Sequence, residues 1–201
     1  RTSKDILPIH LNNSSCLEEA NYGSETFDVM LTSPPYANCF DYSKIYMCEL
    51  WLGDFFTSKQ DQKDFRLKSV RSHVHSRWPS RNEQFGSKLV NQLIYPALSD
   101  LDLWSKQIPS MLKGYFEDLG SLLKILRHKM VEGGTLGFVV SNSAYGGIPI
   151  ATDLIICQIA EEMGYVVERV DIYRRMIPSS QQYKQRGSNE YLRERLVVLK
   201  K

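Results

Sequence analysis

Ser33, Pro34, Pro35 and Tyr36 set a hydroxyl, two N–H-free residues and an aromatic ring within four positions. Proline fixes φ and lacks the backbone donor, so carbonyls around the pair escape helix and sheet pairing and stay open to a ligand. The Ser33 hydroxyl and the Pro34 carbonyl can accept hydrogen bonds, and Tyr36 adds a flat face beside them. That set suits a planar group carrying an amino donor, such as a nucleobase, whose hydrogens go to Ser33 and Pro34 while its ring stacks on Tyr36.

Some element must aim these groups. Residues 27–31, Phe-Asp-Val-Met-Leu, read as a short buried strand that delivers Thr32 and the site from its carboxyl end. A strand is also expected at 6–11, followed by a polar turn at 12–15. Helical spacing is expected over 42–56, with its aromatics mostly in the core, and over 109–131, where Gly133 and Gly134 mark the end. A buried parallel strand at 135–140, a helix at 149–163 stopped by Gly164, and a final strand pair at 165–173 and 191–199 complete an alternating pattern. The expectation is one α/β domain over 1–201, its sheet mostly parallel with a C-terminal antiparallel pair. A mainly helical insertion occupies about 57–105. Ligands of such sheets bind at the carboxyl ends of strands, so the turns at 12–15, 32–38 and 141–147 should share one edge.

Composition narrows the class. No apolar run reaches the roughly eighteen residues of a membrane span, and 201 residues suffice for one sizeable core. Cys16, Cys39, Cys48 and Cys157 are scattered without a Cys-x-x-Cys pair, which argues for reduced thiols in a cytoplasmic protein rather than zinc ligands or disulfides. His73 and His75 read as part of a solvated loop, and no metal is expected. The net charge is only +2, but its distribution is uneven. Arg66, Lys68, Arg71, Arg77 and Arg81 fall in one acid-free run with Trp78 inside it. Arg174, Arg175, Lys184 and Arg186 form a second, with Gln181 in the loop between strands. Cations with interleaved aromatics suit phosphates and bases, so these are the candidate nucleic-acid contacts.

The string Thr32-Ser33-Pro34-Pro35-Tyr36 resembles motif IV of the S-adenosylmethionine-dependent amino-methyltransferases, which methylate exocyclic amino groups of cytosine or adenine in DNA. The likeness continues in Asn38, Phe40-Asp41-Tyr42, Tyr46, Glu49, Leu50 and Gly53. It resumes at Pro178-Ser179-Ser180-Gln181-Gln182 and Leu192-Arg193-Glu194. The resemblance implies a Rossmann-like methyltransferase sheet, S-adenosylmethionine as cofactor, DNA as partner, and direct transfer with Ser33, Pro34, Pro35 and Tyr36 at the reacting amino group. It puts cofactor contacts at Asn13, Ser14 and Thr32, although the family often has Asp where Asn13 stands. Serine at 33 favours cytosine-N4 over adenine-N6. No cysteine follows a proline, which argues against carbon-5 methylation. The family's Phe-x-Gly-x-Gly loop is missing from 1–201, so the sheet is expected to be incomplete on its N-terminal side, with a companion segment or subunit carrying that loop. The alternatives are a non-catalytic nucleic-acid-binding half of a split enzyme and an RNA amino-methyltransferase.

Overall fold

A computed structural model describes residues 9–78, 85–175 and 192–201. Its centre is a four-stranded sheet in the order β1 (Phe27–Thr32), β2 (Met130–Ser141), β6 (Arg193–Lys200), β5 (Val166–Arg175). β1 and β2 pair in parallel, Val29 opposite Thr135 and Thr32 opposite Phe138. β6 runs antiparallel to both of its neighbours, with Ser141 and Arg174 opposite Glu194. Three strands therefore run one way and β6 is threaded between two of them. The α/β sheet expected from the sequence is present, with its antiparallel pairing at the C-terminal end.

Alternation along the strands divides the sheet faces. Leu136, Phe138, Val140, Val197 and Leu199 are buried beneath α5 (Ile108–Lys129) and α6 (Thr152–Glu162), against Tyr115, Phe116, Leu119, Ile155 and Ile159. On the opposite face Val29 and Leu31 remain 71% and 75% exposed. Burying apolar side chains at about 25 cal/mol per Å² drives the first face together, and α5, apolar around most of its girth, is its keel.

Several local expectations change. α5 ends at Lys129, where Met130 is already extended, so Gly133 and Gly134 lie inside β2 rather than at a helix cap. Gly133 takes a φ of 75° there, and the pair bonds with Lys201 as the strand bends. The helix expected over 42–56 is broken at Tyr46 into α1 (Tyr42–Ile45) and α2 (Met47–Leu52). Most of its aromatics are not core: Tyr42, Tyr46, Trp51 and Phe55 are exposed, as is Phe40 just before it, while Phe56 is buried at 3%. Residues 6–8 lie outside the described residues, and 9–11 form no strand. After β2 the chain makes a small hairpin, β3 (Ser143–Tyr145) with β4 (Ile148–Ile150).

The segment expected as an insertion contains α3 (Lys59–Lys68), whose start is fixed by a reciprocal Ser58 and Asp61 capping box. A wide-turn stretch at Val90–Ile94 leads into α4 (Tyr95–Ser99). Val70, Val90 and Leu98 join the main core. Gly114 makes this docking possible: a Cβ there would lie 2.8 Å from Cδ of Arg71, which runs across the helix at that point.

Candidate active site

Parallel pairing puts Thr32 and Ser141 at the same edge of the sheet, and the reversed β6 brings Glu194 to it as well. Ser33 is exposed, Pro34 buried, and Pro35 and Tyr36 half-buried. The Tyr36 phenol donates to Oε1 of Glu194, a carboxylate only 5% exposed. Ser33 Oγ lies 3.4 Å from the same phenol oxygen. On the other side of Glu194, Arg174 donates from Nε to Oε2 at 2.5 Å. Burial, and then the bond to Glu194, push the Tyr36 phenol up to about 12, so it keeps its proton at neutral pH.

The chain beyond Tyr36 is held by hydrogen bonds. The amide of Asn38 donates to the Tyr36 carbonyl at 2.8 Å, and the Tyr145 hydroxyl of the β3–β4 hairpin donates to the Ala37 carbonyl at 2.8 Å. Cys39 takes a φ of 62°, a left-handed conformation unusual outside glycine, and brings its sulfur within 3.3 Å of the Tyr145 oxygen. Asp41 then caps α1, accepting from the Ser43 amide at 3.1 Å and its hydroxyl at 2.6 Å.

Asp41 anchors a second cluster. Arg66 Nε is 3.2 Å from its Oδ2, and His73 Nε2 and His75 Nδ1 are each 3.9 Å from its carboxylate. Burial pushes Asp41 up, but the Ser43 hydrogen bond and the charges of His73 and Arg66 outweigh it, and the net shift is downward. Both histidines are held below their usual range, chiefly by burial. His73 is 4% exposed, so this part of the pair is not the solvated loop expected from the sequence. One donor atom from each of the three residues falls within 4.8 Å of the others, the spacing of a metal-binding set. Two features oppose a cation: the Arg66 guanidinium already sits on the carboxylate, and His73 Nδ1 accepts from the His75 amide at 3.2 Å, which leaves the proton on Nε2.

The expected cations divide in two. Arg66 is spent on Asp41 and on Ser43 Oγ at 2.6 Å. Arg71 is 6% exposed and grips Asp118 through Nε at 3.1 Å and Nη2 at 2.9 Å, with Glu117 at 3.0 Å. Arg71 is therefore buried away from the surface, whereas Arg66, with its Nε on Asp41, keeps 19% of its side chain exposed. Lys68, Arg77, Arg174 and Arg175 are exposed. Arg77 and the half-buried Trp78 line a cavity of about 890 Å³ with Arg71, His73, Tyr95 and Lys113. Arg81, Gln181, Lys184 and Arg186, with the rest of the 178–182 segment, lie outside the described residues.

Asn13 and Ser14 do not join Thr32. Ser14 lines a cavity with Tyr22 and Phe27, at the start of β1, and both residues line another with Phe65 and Lys68. Thr32 lies at the other end of β1, roughly 15 Å along the strand. The turn at 12–15 therefore departs from the shared edge, while 32–38 and 141–147 do meet there.

Glu194 and Tyr145 are the site residues that sequence reasoning missed. Glu194 lies within the Leu192-Arg193-Glu194 triplet that carried the resemblance, but spacing could not join it to a tyrosine 158 positions earlier. Only the insertion of β6 beside β2 does that.

Among curated proteins, the chain is similar to the type II methyltransferase M.AvaI of Nostoc sp., with 30% identity over 172 residues, covering 81% of this chain and 36% of the relative. M.AvaI of Anabaena variabilis matches to the same extent. The type II methyltransferase M.BsoBI of Geobacillus stearothermophilus is 27% identical over 202 residues, covering 88% of this chain and 38% of the relative. The chain thus spans little more than a third of the length of the curated relatives it matches. No family model matches it. No solved structure matches it either.

Proposed function

The chain is a relative of the type II methyltransferases over part of their length, and on that premise we propose that it forms the target-base side of a site-specific DNA amino-methyltransferase. The observation that carries this reading is the chain of contacts from Ser33 through Tyr36 to Glu194 at the carboxyl edge of the sheet, next to Pro34 in the same string. A base turned out of its helix stacks on Tyr36, and its amino hydrogens go to the Ser33 hydroxyl and the Pro34 carbonyl. Those bonds strengthen as the nitrogen becomes positive, so they favour the transition state over the ground state. The nitrogen lone pair is then held for attack, with no covalent enzyme intermediate. Serine at 33 supports cytosine-N4 over adenine-N6 as the target.

S-adenosylmethionine is the proposed methyl donor and supplies the methyl group when bound. The residues described here do not by themselves fit it: Asn13 and Ser14 are separated from Thr32 by the length of β1. No step is therefore assigned to them. A companion segment or subunit completing the donor site is supported by β1 itself. Among the described residues its outer edge has no strand partner, and Val29 and Leu31 are exposed beside it. The same separation favours, as a second reading, a nucleic-acid-binding half without catalysis.

Labelled S-adenosylmethionine, incubated with the chain and its companion polypeptide on unmethylated genomic DNA or on RNA, tests these readings. Label recovered as N4-methylcytosine from DNA is expected. N6-methyladenine would move the target base, label in RNA alone would move the substrate, and no label would overturn the enzymatic reading.

A further inference from the structure

The hydrogen bonds around Tyr36 have a direction. Its phenol has one proton, and that proton goes to Glu194 Oε1. The contact of 3.4 Å between the phenol oxygen and Ser33 Oγ must then run the other way, with Ser33 donating. Once its proton is turned inward to Tyr36, the Ser33 oxygen presents only lone pairs to the open side of the pocket. Glu194 can impose this order because it is itself fixed. It is buried, its second oxygen is taken by Arg174 across the ladder, and its strand is paired on both sides.

We infer that Glu194 is a positioning residue that sets the hydrogen-bond polarity of the Ser33–Tyr36 pocket, making it selective for an amino group rather than a carbonyl. This rests on the proposed base-amino function. A carboxylate can only accept, so the sequence of donors from Ser33 to Tyr36 to Glu194 cannot reverse while it is charged. Glutamine at this position would give its oxygen to Arg174 and turn its amide hydrogens to Tyr36. The phenol proton would then point to Ser33, and the serine proton would face the substrate's amino hydrogens.

The experiment measures methyl transfer from labelled S-adenosylmethionine to unmethylated genomic DNA by the chain with its companion polypeptide. It compares wild type, Glu194→Gln, Tyr36→Phe and the double variant, each checked for wild-type circular dichroism. Glu194→Gln should lower kcat by roughly ten- to hundredfold, the range for a hydrogen bond to a charged group, with KM for DNA unchanged. Tyr36→Phe keeps the stacking face, disturbs folding least and should lower kcat by a similar factor. In the Tyr36→Phe background Glu194→Gln should do no further harm, because the phenol it acts through is gone. A purely structural role would give additive losses. Additive losses, or full kcat in either single variant, overturn the inference while leaving the base-amino reading intact. An inactive wild type overturns both.

Discussion

Replacing Arg71 with methionine should make the protein easier to unfold and leave the salt dependence of the proposed DNA binding unchanged. The guanidinium is buried, and it serves Asp118 through two bonds and Glu117 through a third. Methionine fills similar space but leaves two adjacent carboxylates, each 3% exposed, without that charge. Breaking a buried pair from one side is worth about 3–5 kcal/mol. The Arg71 amide still donates to Asp118 at 2.9 Å, and Lys113 stays 3.8 Å from Glu117, so the lower end, about 3 kcal/mol, applies. With a urea m-value of about 2 kcal/mol/M, the midpoint should fall by about 1.5 M. Anisotropy of a labelled duplex across a salt series supplies the other half of the test. A lost phosphate contact lowers the slope of log K against log salt by about 0.9, and this is expected for exposed Arg77→Gln but not for Arg71→Met. A reduced slope with an unchanged urea midpoint in Arg71→Met would refute the reasoning.

Other expectations are as direct. Tyr36→Ala should weaken target-base binding by about 1–3 kcal/mol, read as loss of quenching of a fluorescent base analogue, and Pro34→Ala should lower turnover by loosening the carbonyl's position; wild-type behaviour in both would remove the pocket from the reaction. Gly114→Ala should destabilise by roughly 1–3 kcal/mol in thermal melts, because the new methyl would press on the Arg71 side chain from 2.8 Å. The lowered pKa of His73 means that the unfolded chain takes up its proton first. Its contribution to stability is thus present above about pH 6.5 and lost as pH falls through the lower folded value, and His73→Asn should flatten that part of a stability-against-pH curve.

Much of the fold was legible because its signals are local. The apolar runs at β1, β2, α5 and α6 carry their own periodicity, and Gly164, with a φ of 85°, stops α6 where its type suggests. Gly133 misled because a left-handed glycine serves a bent strand as well as a helix end, and the two uses have the same composition. Exposure of Phe40, Tyr42 and Tyr46 was hidden for a different reason. Aromatics at helical spacing look like core until the helix is seen to break at Tyr46 and leave Tyr42 and Tyr46 stacked at 6.3 Å on an open face. The candidate site was legible up to Tyr36, whose proposed chemistry lies in one continuous string. Its partners were not, since Glu194, Arg174 and Tyr145 reach it only through strand order.

Charge has the same limit, and it matters for how the protein would meet a nucleic acid. A run of cations in sequence is a sum, whereas attraction to phosphate depends on which members keep their charge facing solvent. Arg66 and Arg71 belong to the first basic run, yet each closes a joint: Arg66 ties α3 to the start of α1, and Arg71 ties the segment after α3 to α5. Arg71 turns its charge inward, and Arg66 keeps its Nε on the residue that caps α1. Arg174 is intermediate. Its side chain is 61% exposed, yet two of its nitrogens, Nε and Nη2, donate to Glu194, so a phosphate arriving at its outer side would approach the group that fixes Tyr36. On the proposed reading, backbone attraction and base orientation would converge on one carboxylate. The Glu194→Gln and Tyr36→Phe pair therefore reports on the proposed pocket, whereas Arg77→Gln reports on a separate cavity-lining cation.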